Sequence, residues 1–192
     1  MPTKPRLFLL DAVVIIHLHE LDLWGSVTEG ATVIVPGVVA DREVRYWAKP
    51  VAGGEPVRHA INLSADASAG RIEIREADAT DLAETLTLLP AIVRDGVDPG
   101  ELEALTLIRL AKDPRPAFCT ADRLAFHGLC HLGFYELALS LESLLKRLGL
   151  TPKGGLCRQY SQELFARWMK EASIAAVQER PTTSKKARHK KN

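Results

Sequence analysis

The chain has 192 residues, 46% of them apolar and 26% charged, with a formal net charge of +1. That is enough for one domain with a sizeable core and a short appendage. The near-neutral balance excludes a polycation, so any attraction to nucleic acid must come from local patches. Three cysteines without CxxC spacing, Cys119, Cys130 and Cys157, exclude a disulfide framework and a zinc finger. They read as buried or partly buried free thiols in a reducing compartment.

Lys4 and Arg6 precede Leu7-Phe8-Leu9-Leu10, a faint likeness to a signal peptide that Asp11 interrupts. The run reads instead as a strand buried on both faces. No apolar stretch approaches the ~20 residues that span a bilayer, and the expectation is a cytoplasmic protein without a membrane partner. Residues 12–23 place Val14, Ile15, Leu18 and Leu21 at helical spacing. A second strand is expected over 31–35, stopped by Pro36-Gly37, then a helix through Glu43 to about Trp47. Residues 49–56, with Pro50, Gly53, Gly54 and Pro56, read as a loop suited to an insertion.

Residues 71–75 alternate charged and apolar, which predicts a short half-exposed strand. Residues 80–94 read as a helix that Pro90 kinks or splits. Asp98-Pro99 signals a helix start, with Asp as N-cap and Pro at the first helical position, and the helix runs to about Lys112. A strand over 117–120, a helix over 122–129, a strand over 134–137 and a helix over 139–148 closed by Gly149 follow. The alternation predicts an α/β three-layer sandwich with a mainly parallel central sheet. That domain spans residues 1–150. Residues 151–180 read as a linker and C-terminal helix that packs on the domain, and 181–192 as a basic, disordered tail.

In an open parallel sheet, ligands bind in the crevice beyond the carboxyl ends of the strands. Asp11 follows the first strand, Glu43 lies in the helix after the second, and Asp122 lies just beyond residues 117–120. Glu101 and Glu103 sit in the first turn of the helix that begins at Pro99. If these helix starts share one end of the sheet, four or five carboxylates converge. Such a group repels itself without a cation, and an oxygen-only set suits Mg²⁺ or Mn²⁺. Each acid taken singly reads as a helix cap or a solvated group before it reads as a ligand; Asp98 is fully explained by capping.

The order of the blocks is more specific. Leu9-Leu10-Asp11-Ala12-Val13-Val14-Ile15 resembles the opening strand and first acidic residue of the PIN-domain family. Val35-Pro36-Gly37-Val38-Val39-Ala40-Asp41-Arg42-Glu43 resembles its second block, Gly100-Glu101-Leu102-Glu103-Ala104-Leu105 its third, and Cys119-Thr120-Ala121-Asp122-Arg123-Leu124-Ala125 its fourth. The resemblance covers about residues 7–148. It implies a PIN-like fold and a metal-dependent nuclease, an endoribonuclease ahead of a DNA-cutting enzyme. Asp11, Glu43, Glu101 and Asp122 would be the catalytic metal ligands, with Mg²⁺ or Mn²⁺ as cofactor. Glu103 is the fifth candidate ligand, although two residues along a helix turn a side chain by about 200°. Many PIN proteins are toxins of toxin–antitoxin pairs and others process RNA, so an antitoxin or other protein partner and a homodimer stay open.

Thr120 is a candidate for bonding a ligand carboxylate or the scissile phosphate, or a strand-end hydroxyl satisfied by backbone. Arg42, Arg45 and Arg123 adjoin proposed ligands and are candidates for substrate phosphates or for a solvated face. His17 and His19 point nearly opposite ways on a helix, and His127 and His131 have no acid to complete a metal motif. Neither a P-loop nor a dinucleotide fingerprint is present. The rival expectation is a catalytically weak or inactive PIN-like module that binds nucleic acid or protein.

Overall fold

The computed structural model describes residues 6–49, 51 and 53–178; the basic tail expected over 181–192 lies outside them. β1 (Leu7–Leu10) leads into α1 (Ala12–Glu20) and α2 (Trp24–Gly30). β2 (Thr32–Pro36) is followed by a π-helical turn (Val39–Glu43) and then by β3 (Tyr46–Lys49) and β4 (Val57–Ala60). α3 (Leu63–Ser68), β5 (Glu73–Arg75), α4 (Ala79–Leu88), α5 (Ala91–Arg94) and α6 (Pro99–Leu110) come next. β6 (Ala117–Cys119), α7 (Arg123–His131), β7 (Ala138–Leu139), α8 (Leu141–Leu148) and α9 (Gln162–Gln178) follow.

Five strands form one sheet in the order β5-β2-β1-β6-β7, every pairing parallel. In register, Leu9 of β1 lies opposite Ile34 of β2 and Phe118 of β6. Successive side chains of a strand face opposite ways, and the core divides accordingly. Phe8, Leu10, Val33, Val35 and Cys119 join α1, α2 and α8 in one cluster. Leu9, Ile34 and Phe118 join α5, α6 and α7 in the other. The molecule is thus an α/β three-layer sandwich, and the continuous apolar run of β1 is what burial on both faces requires. Complete burial of Leu9 and Leu10 contributes roughly 1.5–3 kcal/mol each.

Several local expectations fail for identifiable reasons. The helix expected over 12–23 ends at Glu20, and a turn through Asp22, which adopts a left-handed φ of 56°, redirects the chain into α2. The β-branched run Val13-Val14-Ile15-Ile16 remains helical because Val14 and Ile15 are fully buried, and that burial overrides weak propensity. No regular helix reaches Trp47; the π-helical turn stops at Glu43, and Tyr46, Trp47 and their neighbours pair instead with β4. The strand expected over 134–137 is a 3₁₀ turn at Tyr135–Leu137, and the parallel strand is displaced to Ala138–Leu139. Pro90 does split its helix, separating α4 from α5. Gly149, at φ 72°, closes α8 in the left-handed conformation that glycine adopts without strain.

α9 packs along α7: Phe165 meets Phe126 edge-on at 5.2 Å, Trp168 lies 6.1 Å from the same ring, and Ala172 and Ala176 bury against Cys130. Its predicted packing on the domain is therefore what the structure contains. Cys119 and Cys130 are buried and Cys157 is exposed, so one thiol departs from the expected burial. Among the described residues no helix is long and apolar enough to cross a membrane.

Candidate active site

β1 is central, and the chain leaves it first towards β2 and β5, then returns to β6 on its other side. The reversal opens a crevice beyond the carboxyl ends of β1 and β6. Asp11 stands at the end of β1, where its backbone N–H extends the ladder to Cys119 O (3.2 Å). It is also the N-cap of α1: Oδ1 accepts from Ala12 N–H (2.7 Å). Asp122 caps α7, its Oδ1 accepting from the N–H groups of Leu124 (2.5 Å) and Ala125 (3.1 Å). Thr120 joins the two acids. Its hydroxyl donates to Asp11 Oδ2 (2.8 Å) and accepts the Asp122 N–H (2.9 Å). Thr120 thus bonds a carboxylate and a backbone amide together.

Glu43 ends the π-helical turn and reaches the start of α6, where the Gly100 N–H donates to its Oε1 (3.1 Å). Glycine is needed there: a Cβ on residue 100 would lie 2.5 Å from Glu43 Oε2. Glu101 is buried (6% exposed) and folds back so that Oε2 accepts the Asp98 N–H (3.3 Å), as in a capping box. Backbone amides hold Glu43 by Oε1, Glu101 by Oε2 and Asp122 by Oδ1.

Electrostatics report the clustering directly. Burial pushes the Asp11 carboxyl up to about 6; the Thr120 and Ala12 hydrogen bonds oppose this, and the Glu43 and Asp122 carboxylates reinforce it. Glu101 is pushed up to about 8, chiefly by burial and then by the charges of Asp122 and Asp11. Burial also raises Glu43, against its Gly100 hydrogen bond, with Asp98 and Glu103 adding repulsion. Four acids from four separate sequence blocks thus share one field. Among the described residues, however, no group of three or more His, Cys, Asp or Glu side chains is arranged so that it could hold a metal ion as it stands. The carboxylates are neighbours without closing on a single point.

Glu103 and Arg123 are engaged by other partners. Glu103 is buried, and each of its oxygens takes a backbone N–H, Oε2 from Val38 (2.7 Å) and Oε1 from Ala77 (3.1 Å). It clasps the turns after β2 and β5 to α6, in keeping with the turn of about 200° from Glu101. Arg123 pairs with Glu171 of α9 (3.2 Å), so its guanidinium is directed to the C-terminal helix. Arg42 is exposed beside Glu43. His17 stacks on Tyr160 and bonds Glu20, whereas His19 stacks on Trp24; they share no site. Sequence reasoning did not foresee the Gly100 N–H as a holder of Glu43, although the Gly-Glu-x-Glu block carried the signal.

Comparison of the chain with protein-family models, with curated proteins and with solved structures finds no match. The functional reading therefore stands on the geometry and on the sequence resemblance.

The donor set fits a hard divalent cation in kind. It consists of carboxylate oxygens, two of the acids are buried, and their charges raise one another's proton affinity. A buried carboxylate without a counter-charge either protonates or meets a cation.

Proposed function

We propose that this chain is a PIN-like, Mg²⁺- or Mn²⁺-dependent nuclease, an endoribonuclease in the first instance, with Asp11, Glu43, Glu101 and Asp122 as the residues that would hold the metal. The observation that carries the reading is the gathering of these four acids at the carboxyl end of a parallel sheet, with Glu101 buried among like charges. When bound, such an ion supplies an activated water and charge stabilisation for phosphodiester hydrolysis. The protein's part is positioning. Thr120 fixes the Asp11 carboxylate against the start of α7, and the Gly100 N–H fixes Glu43 against the start of α6. Burial raises the proton affinity of Asp11 and Glu101, and as carboxylates both would serve as anionic donors to the ion.

The test is cleavage of RNA by purified protein with Mn²⁺, beside the variant Asp11→Asn. Loss of cleavage by at least a hundredfold supports the assignment; equal cutting by the variant sinks it. A second reading, a binding module without catalysis, is favoured by the structural uses of Asp122 as a helix cap and Glu103 as a clasp. It predicts no rise in melting temperature with Mn²⁺, whereas a real site stabilises the folded state in proportion to its occupancy. A cytoplasmic setting is part of this proposal, which does not choose between a toxin and an RNA-processing role, nor among an antitoxin, another protein partner and a homodimer.

A further inference from the structure

β3 and β4 form a two-stranded antiparallel sheet separate from the central one, with Trp47 opposite His59 and Ala48 opposite Arg58. An isolated hairpin is marginal in water, and this one is braced through its rings. The Arg58 guanidinium lies 4.5 Å from the Tyr46 ring centroid, and the Trp47 and His59 rings stack at 4.4 Å. At its base, Trp47 leans on the core cluster that contains α1, and Ile61 N–H donates to Arg45 O (3.0 Å). Tyr46 nevertheless remains 43% exposed.

The charge on this element is one-sided. Between Val44 and Ile61 the chain carries Arg45, Lys49 and Arg58 against a single acid, Glu55. All three cations are exposed. Among the described residues none of them forms an ion pair, in contrast to Arg71, Arg75 and Arg109. β3 also begins three residues after Glu43, a reach of at most about 11 Å of chain. The base of an element carrying unneutralised cations and the exposed Tyr46 ring therefore lies within that reach of Glu43, one of a group of carboxylates that would itself repel a phosphate backbone.

We propose that the β3–β4 hairpin is the arm that delivers single-stranded nucleic acid to the carboxylate site, its rings stacking on bases and its cations meeting phosphates. The inference rests on the nuclease reading for its purpose, but not for its chemistry. Stacking platforms combined with basic grooves are how proteins hold single strands without sequence preference. A duplex hides its base faces and fits a ring platform poorly, so the arm discriminates against it.

The experiment measures binding rather than cutting. Fluorescence anisotropy of a labelled oligonucleotide, in EDTA, compares the full chain with Tyr46→Ala and with the exposed double variant Arg45→Gln/Lys49→Gln, each checked by melting temperature. Arms of single-stranded RNA, single-stranded DNA and duplex of one sequence identify the source. Tyr46→Ala is expected to weaken single-strand binding about fivefold to a hundredfold. The double variant is expected to reduce the slope of log affinity against log salt by about 0.7 for each phosphate that the removed cations had neutralised. Single strands of either kind are expected to outcompete duplex. Unchanged affinity and salt slope in folded variants overturns the arm while leaving the nuclease reading intact. Duplex bound as well as single strand overturns it too. Binding abolished in the variants, alongside a wild type that never cuts, supports the arm and removes the nuclease.

Discussion

Replacing Glu101 by Gln removes one charge from the buried group while keeping an oxygen to accept the Asp98 N–H. The Glu101 carboxyl is raised from 4.5 to about 8, so the folded protein holds its proton more tightly than the unfolded chain does. The stability contributed by that neutral form is complete below the unfolded value and is lost as pH rises towards 8. At 1.36 kcal/mol for each tenfold change in proton affinity, the full span corresponds to at most roughly 5 kcal/mol. The figure is an upper bound because Asp11, itself raised to about 6, titrates in the same window. In EDTA, Glu101→Gln and wild type should melt alike near pH 4.5. At pH 8.5 the variant should melt higher, by at most roughly 10–20 °C, at about 2–4 °C per kcal/mol for a domain of this size. Mn²⁺ should reverse the order, stabilising wild type more than the variant, because the ion takes the place of the protons. A variant that melts no higher than wild type at pH 8.5 without metal would refute the argument from a buried charge among like charges, and with it the reason for invoking a cation.

Gly100→Ala places a methyl within 2.5 Å of Glu43 Oε2. The carboxylate must swing away while the helix loses little, so cleavage should fall at least tenfold with a melting temperature within a few degrees of wild type. Thr120→Val removes the hydroxyl between Asp11 and Asp122. It should destabilise the fold by about 1–3 kcal/mol and move the acid limb of the pH–rate profile upward, because the Asp11 carboxylate loses a donor. Glu103→Ala strands the N–H groups of Val38 and Ala77 and should lower stability by about 2–5 kcal/mol in a denaturant titration. Its Mn²⁺ affinity should change far less than that of Asp11→Asn; an equal loss would return Glu103 to the ligand set.

Much of the site was legible because helix caps and strand ends obey local rules. Asp11 and Asp122 follow apolar runs and precede helical spacing, so their positions at strand–helix junctions could be read directly, and both prove to be N-caps. Glu43 was legible only as an acid after the second strand. The chain there takes a π-helical turn and then enters a hairpin, an outcome decided by pairing with β4 that no local pattern announces. The hairpin strand Val57–Ala60 is exposed at every position, so it lacked the inward–outward alternation that marks a half-buried strand. Arg123 read as a contact for substrate phosphates or as part of a solvated face; what no local pattern announced is its ion pair with Glu171 of α9, 48 positions away.

By itself the sequence determined the elements whose causes lie within three or four residues: the doubly buried β1, the capped start of α6 at Asp98, the break at Pro90 and the glycine stop at Gly149. The tertiary structure alone decided which carboxylates become neighbours. The Thr120–Asp11 hydrogen bond spans 109 positions and the Gly100–Glu43 bond 57, and such contacts follow from strand order and sheet twist rather than from neighbouring side chains. The turn of about 200° between Glu101 and Glu103 was legible in the sequence; the fold decided that one enters the field of Asp11 and the other takes the backbone amides of Val38 and Ala77. Propensity acts through bonds close in the chain; a site is made by packing, which brings distant charges together only after the core has formed.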